Sequence, residues 1–266
     1  MTARYKLERL RALLAGSGPL AVAFSGGTDS SFLLQTAQDL LGEGVLALTA
    51  DSVFIPRAEL EEAASFCRER GIRQKTVRID VLRLPGVGVN PPDRCYLCKR
   101  AIFERLRAEA AAEGFSLLAD GSNADDAGDY RPGMRALREL GVCSPLLEAS
   151  LTKAEIRELS KARGLPGWDK PSAACLASRI AYGEALTEEK LRSVERGEAL
   201  LHSLGFPLCR VRVHGTLARI ELPPEEFGAA LENRRTIADA LKELGFLYVT
   251  LDMTGFRSGS MNDALR

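Results

Sequence analysis

Short apolar runs alternate with amphipathic stretches over the first 163 residues of the chain. Runs in which nearly every residue is apolar indicate strands buried on both faces, as in parallel sheets covered by helices. The five runs are residues 20–24, 45–50, 76–81, 117–119 and 142–146. The helical stretches lie near residues 29–41, 56–70, 99–113, 132–140 and 152–163. This order predicts a doubly wound α/β domain with a five-stranded parallel sheet and right-handed crossovers.

The pattern changes after residue 163. Residues 164–185 are rich in Pro, Gly and polar side chains, which is typical of a long functional loop. An amphipathic helix over residues 187–204 follows. Strand-like runs at 209–214, 217–222 and 247–251 come next, with a helix near 233–244. We expect antiparallel strands here and a second, smaller α+β domain, so that the predicted domains are residues 1–185 and 186–266.

The charge of the chain is balanced, because Lys plus Arg and Asp plus Glu both number 36. A neutral chain lacks the basic surface that nucleic-acid binding uses, which favours a small-molecule substrate. The N-terminal residues are charged and amphipathic, so we expect neither a signal peptide nor a membrane span. Six cysteines with a CxxC pair are typical of a reducing compartment, and we expect a cytoplasmic protein.

A glycine-rich loop joins the first predicted strand to the first predicted helix. It reads Ser25-Gly26-Gly27-Thr28-Asp29-Ser30. Two successive glycines let the main chain approach an anion closely, and the helix N-terminus beyond them attracts negative charge. The loop lacks the lysine of a Walker A motif and the third glycine of a dinucleotide-binding motif. It therefore predicts ATP binding through the phosphates and disfavours γ-phosphoryl transfer and NAD binding.

This loop resembles the PP-loop of ATP pyrophosphatases, a superfamily that includes GMP synthetase, NAD synthetase and tRNA-thiolating enzymes. The resemblance implies that the loop holds the β- and γ-phosphates while ATP adenylates a carbonyl or carboxyl oxygen. Nitrogen or sulfur then displaces AMP. The residues that the resemblance assigns to pyrophosphate are Ser25, Gly26, Gly27, Thr28 and Ser30. It also implies a Mg²⁺ ion near Asp29.

Three of the six cysteines lie in predicted loops: Cys95 and Cys98 in a CxxC motif, and Cys175 in the segment between the domains. The others lie in apolar patterns and are predicted core residues, namely Cys67, Cys143 and Cys209. Zinc is disfavoured because it prefers four ligands and the two histidines, His202 and His214, lie in the second domain. Three thiolates suit a 4Fe-4S cluster with one open iron. A redox pair, or a cysteine that gives up its own sulfur, remain alternatives.

Four motifs in this sequence resemble the LarE family of sulfur transferases. They are residues 151–157 (LTKAEIR), 171–179 (PSAACLASR), 210–214 (RVRVH) and 251–262 (LDMTGFRSGSMN). The resemblance extends over nearly the whole chain. It implies that a carboxylate of pyridinium-3,5-dicarboxylate mononucleotide is adenylated and converted to a thiocarboxylate, for the nickel-pincer nucleotide cofactor of lactate racemase. It makes Cys175 the sulfur donor, and with Cys95 and Cys98 present it implies a 4Fe-4S cluster on the three cysteines.

Several other side chains are candidates for binding the substrate. Arg210 and Arg212 alternate along a predicted strand and share a face, where they would clamp a phosphate or carboxylate unless the face is merely solvated. Tyr96 would either stack on the pyridinium ring or pack under its loop. The LarE resemblance assigns Ser178 and Arg179 to the substrate as well. Residues 120–126 (DGSNADD) follow a strand at the ligand-binding edge of the sheet, where the acids either contact Mg²⁺ or form turns.

Two further functions stay open from the sequence. A tRNA-thiolating enzyme would share the PP-loop and the cysteines, although the neutral charge argues against RNA. A nucleotide-sensing module whose cysteines bind a structural metal is the non-enzymatic alternative. The LarE resemblance also implies a homo-oligomer, and a hexamer is the expected form.

Overall fold

The computed structural model describes residues 2–128, 132–170, 175–257 and 259–261. Parts of two motifs, residues 171–174, 258 and 262, lie outside the described residues. The chain consists of two compact units, Met1–Ile79 with Cys95–Ala173, and Asp80–Arg94 with Ala174–Arg266. The predicted domain boundary between residues 185 and 186 stays a prediction.

The first unit is built on a parallel four-stranded sheet with strand order β3-β2-β1-β4. The strands are β1 (Leu20–Ala23), β2 (Val45–Asp51), β3 (Gln74–Arg78) and β4 (Leu117–Ala119). The helices are α1 (Ala3–Ser17), α2 (Thr28–Leu41), α3 (Arg57–Glu69), α4 (Arg94–Ala112), α5 (Pro132–Glu139), α6 (Pro145–Glu148) and α7 (Lys153–Ala162). The first residue of α4 belongs to the second unit. This architecture confirms the predicted α/β class.

Alternate residues of the central strands pack on opposite faces of the sheet. Val22 of β1 joins Phe32 of α2 in one buried cluster. Ala21 of β1 and Leu46 of β2 join Phe103 of α4 in another. Because helices cover both faces, nearly every position of these strands is apolar, and this is why the strand signal in the sequence was continuous rather than alternating.

The predicted fifth strand is the main error in the sequence-based fold. Cys143 forms a single parallel bridge with Ala119, supported by hydrogen bonds from Asp120 N to Cys143 O (2.9 Å) and from Cys143 N to Leu118 O (3.0 Å). Pro145 then begins α6, because proline lacks the main-chain donor that a sheet requires and has a φ angle suited to a first helical turn. In the described residues the sheet therefore has four strands, not five.

Helix α4 begins five residues earlier than the sequence predicted, at Arg94 rather than at residue 99. The main-chain N–H of Arg94 donates to the carbonyl of Pro91 (3.0 Å), which begins the turn. Cys95 and Cys98 therefore lie in the first turn and a half of a helix and not in a loop, which corrects the prediction for the CxxC motif.

The second unit contains a three-stranded sheet with strand order β5-β6-β7. Strand β5 (Arg210–His214) is antiparallel to β6 (Leu217–Glu221), whereas β6 is parallel to β7 (Tyr248–Leu251). The expected antiparallel arrangement is thus confirmed for one of the two pairs. The helices of this unit are α8 (Glu188–Ser203), α9 (Phe227–Glu232) and α10 (Arg234–Glu243).

One glycine sets the packing of α8. A Cβ atom added to Gly197 would lie 2.9 Å from Leu241 of α10 and 3.4 Å from Val211 of β5. Only a residue without a side chain allows α8 to approach both elements this closely. None of the described helices is long and apolar enough to cross a membrane.

Candidate functional site

The glycine-rich loop has the conformation that an anion site needs. Gly26 adopts a φ angle of +78°, and a Cβ atom there would lie 3.3 Å from the Ala63 side chain, so a larger residue would be both strained and crowded. Gly27 precedes α2 in extended conformation, and no side chain caps the helix. The amides at the start of α2 therefore lack a side-chain acceptor, which favours a bound phosphate.

The hydroxyl groups of the loop form a local network. Ser25 and Ser30 place their Oγ atoms 3.2 Å apart, and Ser30 Oγ donates to the carbonyl of Gly27 (3.0 Å). Thr28 points elsewhere, because its Oγ1 donates to the carbonyl of Gly167 (2.8 Å). The structure thus keeps the predicted loop residues together and gives Thr28 a second role, in anchoring the segment at Gly167.

Asp29 is paired with a lysine that sequence analysis had not identified as functional. Lys153 Nζ lies 2.5 Å from Asp29 Oδ2. Burial raises the pKa of the Asp29 carboxyl above its ordinary value, repulsion from Asp126 adds to the rise, and Lys153 opposes it. Oδ1 of Asp29 is buried and has no hydrogen-bond partner among the described residues. An orphaned carboxylate oxygen beside a phosphate loop fits a hard cation such as Mg²⁺.

Lys153 is positioned by the first turn of α7. Thr152 and Glu155 form a complete capping box, as the sequence predicted. The Lys153 main-chain N–H donates to Asp125 Oδ2 (2.8 Å). The sequence signal for Lys153 was present in this box, at the first helical position, but it indicated only a helix start.

The acidic turn after β4 mostly stabilises its own conformation. Asp120 is buried and accepts hydrogen bonds from Ser122 and from Ser144 Oγ (2.6 Å). A Cβ atom on Gly121 would lie 3.0 Å from the Ser30 main-chain nitrogen, so glycine allows this turn to pack against the phosphate loop. Of the two possibilities left open by the sequence, turn formation therefore accounts for Asp120.

The CxxC motif lies at the start of α4. Cys95 is exposed and Cys98 is half-buried, and a spacing of three places both thiols on one face of the helix. Tyr96 contacts α5: the Arg135 guanidinium lies 3.8 Å from its ring centroid, and its hydroxyl donates to Glu139 Oε2 (2.6 Å). Tyr96 therefore has protein partners on its ring and its hydroxyl, and stacking on a substrate ring stays a prediction.

The second unit brings Cys175, Ser178 and Arg179 together. Cys175 is exposed and precedes a short 3-10 helix, Leu176–Arg179. Its carbonyl accepts from the Ser178 main-chain N–H (2.9 Å) and from Arg179 Nη1 (3.3 Å). The Cys175 thiol thus lies at the surface, while the Cys175 carbonyl is fixed by two hydrogen bonds.

Arg179 is buried and bound in a bidentate ion pair. Its Nε and Nη2 atoms each lie 2.9 Å from a carboxylate oxygen of Glu198 on α8. Oε1 of Glu198 also accepts from the main-chain N–H of Val211 (3.0 Å). Glu198 therefore orients the arginine and anchors β5, a role that its position in an amphipathic helix pattern did not reveal.

The two arginines of β5 have different surroundings. Arg212 is buried and donates to Ser178 O (2.7 Å) and to Glu221 Oε2 (2.9 Å), while its Nε atom is buried without a hydrogen-bond partner among the described residues. Arg210 lies 5.1 Å from the ring centroid of Phe256. Burial lowers the pKa of Arg210, and repulsion from Arg179 adds to the effect. Arg179 and Arg212 are already paired with Glu198 and Glu221, so substrate binding by the three arginines stays a prediction.

The remaining cysteines have structural positions. Cys67 and Cys209 are buried, and burial raises the pKa of each thiol to about 12. Burial also raises the pKa of Cys143. These findings confirm Cys67 and Cys209 as core residues, and Cys143 is half-buried beside the sheet.

Thiol labelling should separate these groups. We expect iodoacetamide at pH 8 to modify Cys95 and Cys175 in the folded, reduced and iron-free protein and to leave Cys67 and Cys209 intact, because a thiol with a pKa of about 12 has about one thiolate in ten thousand at that pH. Peptide mass spectrometry measures the modification. Labelling in urea, where all thiols are accessible, is the control. Equal labelling of buried and exposed thiols in the folded protein would contradict the assignment.

In the described part of the chain, no three His, Cys, Asp or Glu side chains form a group that could hold a metal ion. Cys95 and Cys98 belong to the first unit and Cys175 to the second. Two cysteine side chains one helical turn apart fit iron–sulfur ligation. The 4Fe-4S cluster therefore stays a prediction.

No family model matches the chain, but several curated proteins do. Pyridinium-3,5-bisthiocarboxylic acid mononucleotide synthase of Lactiplantibacillus plantarum is 40% identical over 261 residues, covering 98% of this chain and 95% of its own. An uncharacterized protein of Synechocystis sp. is 41% identical over 262 residues, covering 98% of both chains. A tRNA(Ile)-lysidine synthase of Caulobacter vibrioides is 30% identical over 192 residues, covering 63% of this chain and 46% of its own.

The parallel sheet, the phosphate loop after its first strand and these relatives define a PP-loop enzyme that uses ATP. Because the similarity to the L. plantarum synthase extends over nearly the full length of both proteins, the chain belongs to the LarE family. It is an ATP-dependent sulfurtransferase.

Proposed function

We propose that this enzyme adenylates a carboxylate of pyridinium-3,5-dicarboxylate mononucleotide and converts it to a thiocarboxylate. One observation carries the proposal: the match to the L. plantarum synthase covers 98% of the chain, so it includes both the phosphate loop and the segment around Cys175. Arg210 supports it, because burial and repulsion from Arg179 favour an anionic partner for its guanidinium, such as the phosphate or a carboxylate of the substrate.

The phosphate loop is suited to the first half of the reaction. A carboxylate oxygen of the substrate attacks the α-phosphorus of ATP, the bond to the β-phosphate oxygen breaks, and pyrophosphate leaves. Ser25, Ser30 and the amides at the start of α2 hold the leaving group. Asp29 binds the Mg²⁺ that accompanies ATP, and Lys153 lies beside it as a further positive charge.

The second unit is suited to the sulfur-transfer half. A sulfur nucleophile attacks the adenylated carbonyl carbon and AMP leaves with the carbon–oxygen bond electrons. We assign Cys95, Cys98 and Cys175 as ligands of a 4Fe-4S cluster, which when bound supplies the sulfur. The spacing of Cys95 and Cys98, one helical turn apart at the start of α4, supports this assignment.

The alternative source of sulfur is Cys175 itself. In that route the Cβ–S bond breaks and the Cα proton is lost, which leaves dehydroalanine at position 175 and allows one turnover. Anaerobically purified protein that contains iron and acid-labile sulfide, and retains Cys175 after several turnovers, supports the cluster. Iron-free active protein whose Cys175 peptide has lost the elements of H₂S supports the sacrificial route.

The central experiment is incubation with ATP, Mg²⁺ and the pyridinium dicarboxylate mononucleotide, with AMP and thiocarboxylate followed by mass spectrometry. Both products are expected in equal amounts. Absence of both would overturn the proposal. The partial match to tRNA(Ile)-lysidine synthase makes tRNA the second substrate to test, and salt-sensitive tRNA binding with thiolation of a base would move the proposal there.

Lys153 offers a test of the phosphate loop. In the Lys153→Met enzyme we expect the KM for ATP to rise about tenfold to a hundredfold, because a charge-assisted hydrogen bond contributes about 1.5–3 kcal/mol. ATP–pyrophosphate exchange measures the effect. Lys161→Met is the matched control, since Lys161 lies in the same helix and contacts the Trp168 ring (4.6 Å). An unchanged KM in Lys153→Met would exclude the lysine from ATP binding.

Two further features belong to the proposal. We expect a cytoplasmic protein, because its exposed thiols require reducing conditions. We also expect a homo-oligomer, with a hexamer as the assembled form. Light scattering during size-exclusion chromatography measures the mass of the particle, and a monomer at micromolar concentration would contradict this expectation.

A further inference from the structure

Two irregular segments of the second unit are bonded to each other along their lengths. One comprises residues 88–94, which lead into α4 at Arg94, and the other comprises residues 177–186, which follow Cys175. The main-chain N–H of Gly183 donates to Asn90 O (2.9 Å), and that of Leu186 donates to Gly88 O (2.8 Å). Ile180 of the second segment also forms a single parallel bridge with Val213 of β5, so the main chain after Cys175 is held between the sheet on one side and residues 88–94 on the other.

Asn90 makes most of the contacts from the first segment. It is fully buried and has a φ angle of +55°, which asparagine tolerates better than other residues with side chains. Its Nδ2 donates to the carbonyls of Ile180 (3.2 Å) and Ala181 (2.7 Å). Glycine would adopt this φ without strain but would remove the Asn90 donor from both carbonyls, and the Ala181 carbonyl would keep only the main-chain N–H of Glu184 (3.1 Å). The side chain, and not only the backbone conformation, is therefore required here.

Arg94 completes the contact. It is 2% exposed, and its Nη1 donates to Asn90 Oδ1 (2.5 Å) and to Ala177 O (3.0 Å). Its guanidinium also lies 5.9 Å from the ring centroid of Tyr182. Burying a guanidinium group costs free energy unless its N–H groups are hydrogen-bonded. The bonds from Arg94 to Asn90 Oδ1 and to the Ala177 carbonyl therefore indicate that this contact requires a fixed geometry.

We propose that Asn90 and Arg94 are positioning residues for sulfur transfer, an inference that rests on the proposed function. They hold the main chain that follows Cys175, and Arg94 is also the residue from which the CxxC helix begins. On the other side Arg179, itself fixed by Glu198, bonds to the Cys175 carbonyl. An exposed thiol that must react at a defined place needs such support, because a displacement of about 1 Å can cost a hundredfold in rate.

The test uses Arg94→Met, which removes the donors but keeps an unbranched side chain. We expect the yield of thiocarboxylate per minute to fall about a hundredfold, while ATP–pyrophosphate exchange with the pyridinium mononucleotide stays within about threefold of wild type. Hydrogen–deuterium exchange at the Gly183 amide is expected to accelerate about tenfold, because local opening becomes easier. Arg94→Lys, which keeps the charge and one donor, is expected to give intermediate values.

Two other variants make the test decisive. Arg105→Met is the matched control, because Arg105 is an exposed arginine of the same helix and pairs with Glu109; it should behave as wild type. Asn90→Gly keeps the φ angle but removes the side-chain bonds, and it should reproduce the effect if Arg94→Met fails to fold. The inference would be overturned if Arg94→Met lost pyrophosphate exchange and sulfur transfer equally. It would also be overturned if sulfur transfer were unchanged although the Gly183 amide exchanged faster. A wild-type enzyme without thiocarboxylate product would refute the proposed function instead, and the amide exchange would still report on the contact.

Discussion

The Cys175→Ser enzyme is expected to adenylate its substrate and release pyrophosphate but to form no thiocarboxylate. Serine matches the size of cysteine, so the hydrogen bonds from the Ser178 main-chain N–H and from Arg179 Nη1 to the residue 175 carbonyl are retained. The hydroxyl is a poor ligand for iron and contains no sulfur to deliver. Because the phosphate loop belongs to the other unit, ATP–pyrophosphate exchange is expected to stay within about threefold of the wild-type rate.

Two further cysteine variants serve as controls for this experiment. Cys143→Ala removes a cysteine outside the proposed site and should keep both activities. Cys95→Ser separates the two sources of sulfur: it should lose iron and multiple turnover if a cluster is used, and it should keep a single turnover if Cys175 gives up its own sulfur. Thiocarboxylate formation by Cys175→Ser would remove this residue from the reaction.

Replacing Glu198 by glutamine is expected to destabilise the protein by about 3–5 kcal/mol, because it leaves the Arg179 charge buried without its partner. The side chains of Arg179 and Glu198 are only 4% and 8% exposed, so water cannot take over the role of the carboxylate. Glutamine still offers an oxygen to the Val211 N–H, and the effect is therefore confined to the ion pair. Urea unfolding measures the loss.

A double variant separates stability from function. Arg179→Met combined with Glu198→Gln removes the unpaired charge and should regain most of the lost stability, yet it should remain inactive in sulfur transfer because Arg179 no longer supports Cys175. Glu188→Gln is the control on the same helix: Glu188 pairs with Arg192 at the surface, and its loss should cost less than about 1 kcal/mol. A Glu198→Gln protein as stable as Glu188→Gln would contradict the importance of the buried pair.

The parts of this protein that follow local rules could be predicted from the sequence. Strands β1, β2 and β4 lie in apolar runs, whereas the edge strand β3 is mostly polar and begins two residues before the predicted run. The loop between β1 and α2 has glycines at the positions where the backbone turns sharply and approaches Ala63. The capping box at Thr152 also follows from residues three positions apart. In each case the decisive contacts lie within a few residues, where pattern and structure correspond directly.

The missed features depend on contacts distant in sequence. Lys153 and Asp29 are 124 positions apart, and Arg212 is neutralised by Glu221 from a neighbouring strand. Glu198 occupied an ordinary position in an amphipathic helix, and only the structure shows that it is buried against Arg179. The wrongly predicted fifth strand has a local cause instead. Residues 142–146 do form an apolar run, but Pro145 begins a helix and limits the pairing of this run to one bridge.

The division of the chain into two interleaved units limits how either unit can be exchanged between relatives. The polypeptide passes from one unit to the other three times, at residues 79–80, 94–95 and 173–174. A truncation after Ala173 would therefore not release the first unit alone: it would keep residues 80–94 of the second unit while removing Ala177, whose carbonyl accepts from Arg94. Neither unit is a single continuous segment of the chain. Recombination at one point therefore cannot transfer the whole second unit to another ATP-binding domain. Chimeras between relatives should replace residues 80–94 together with the C-terminal portion.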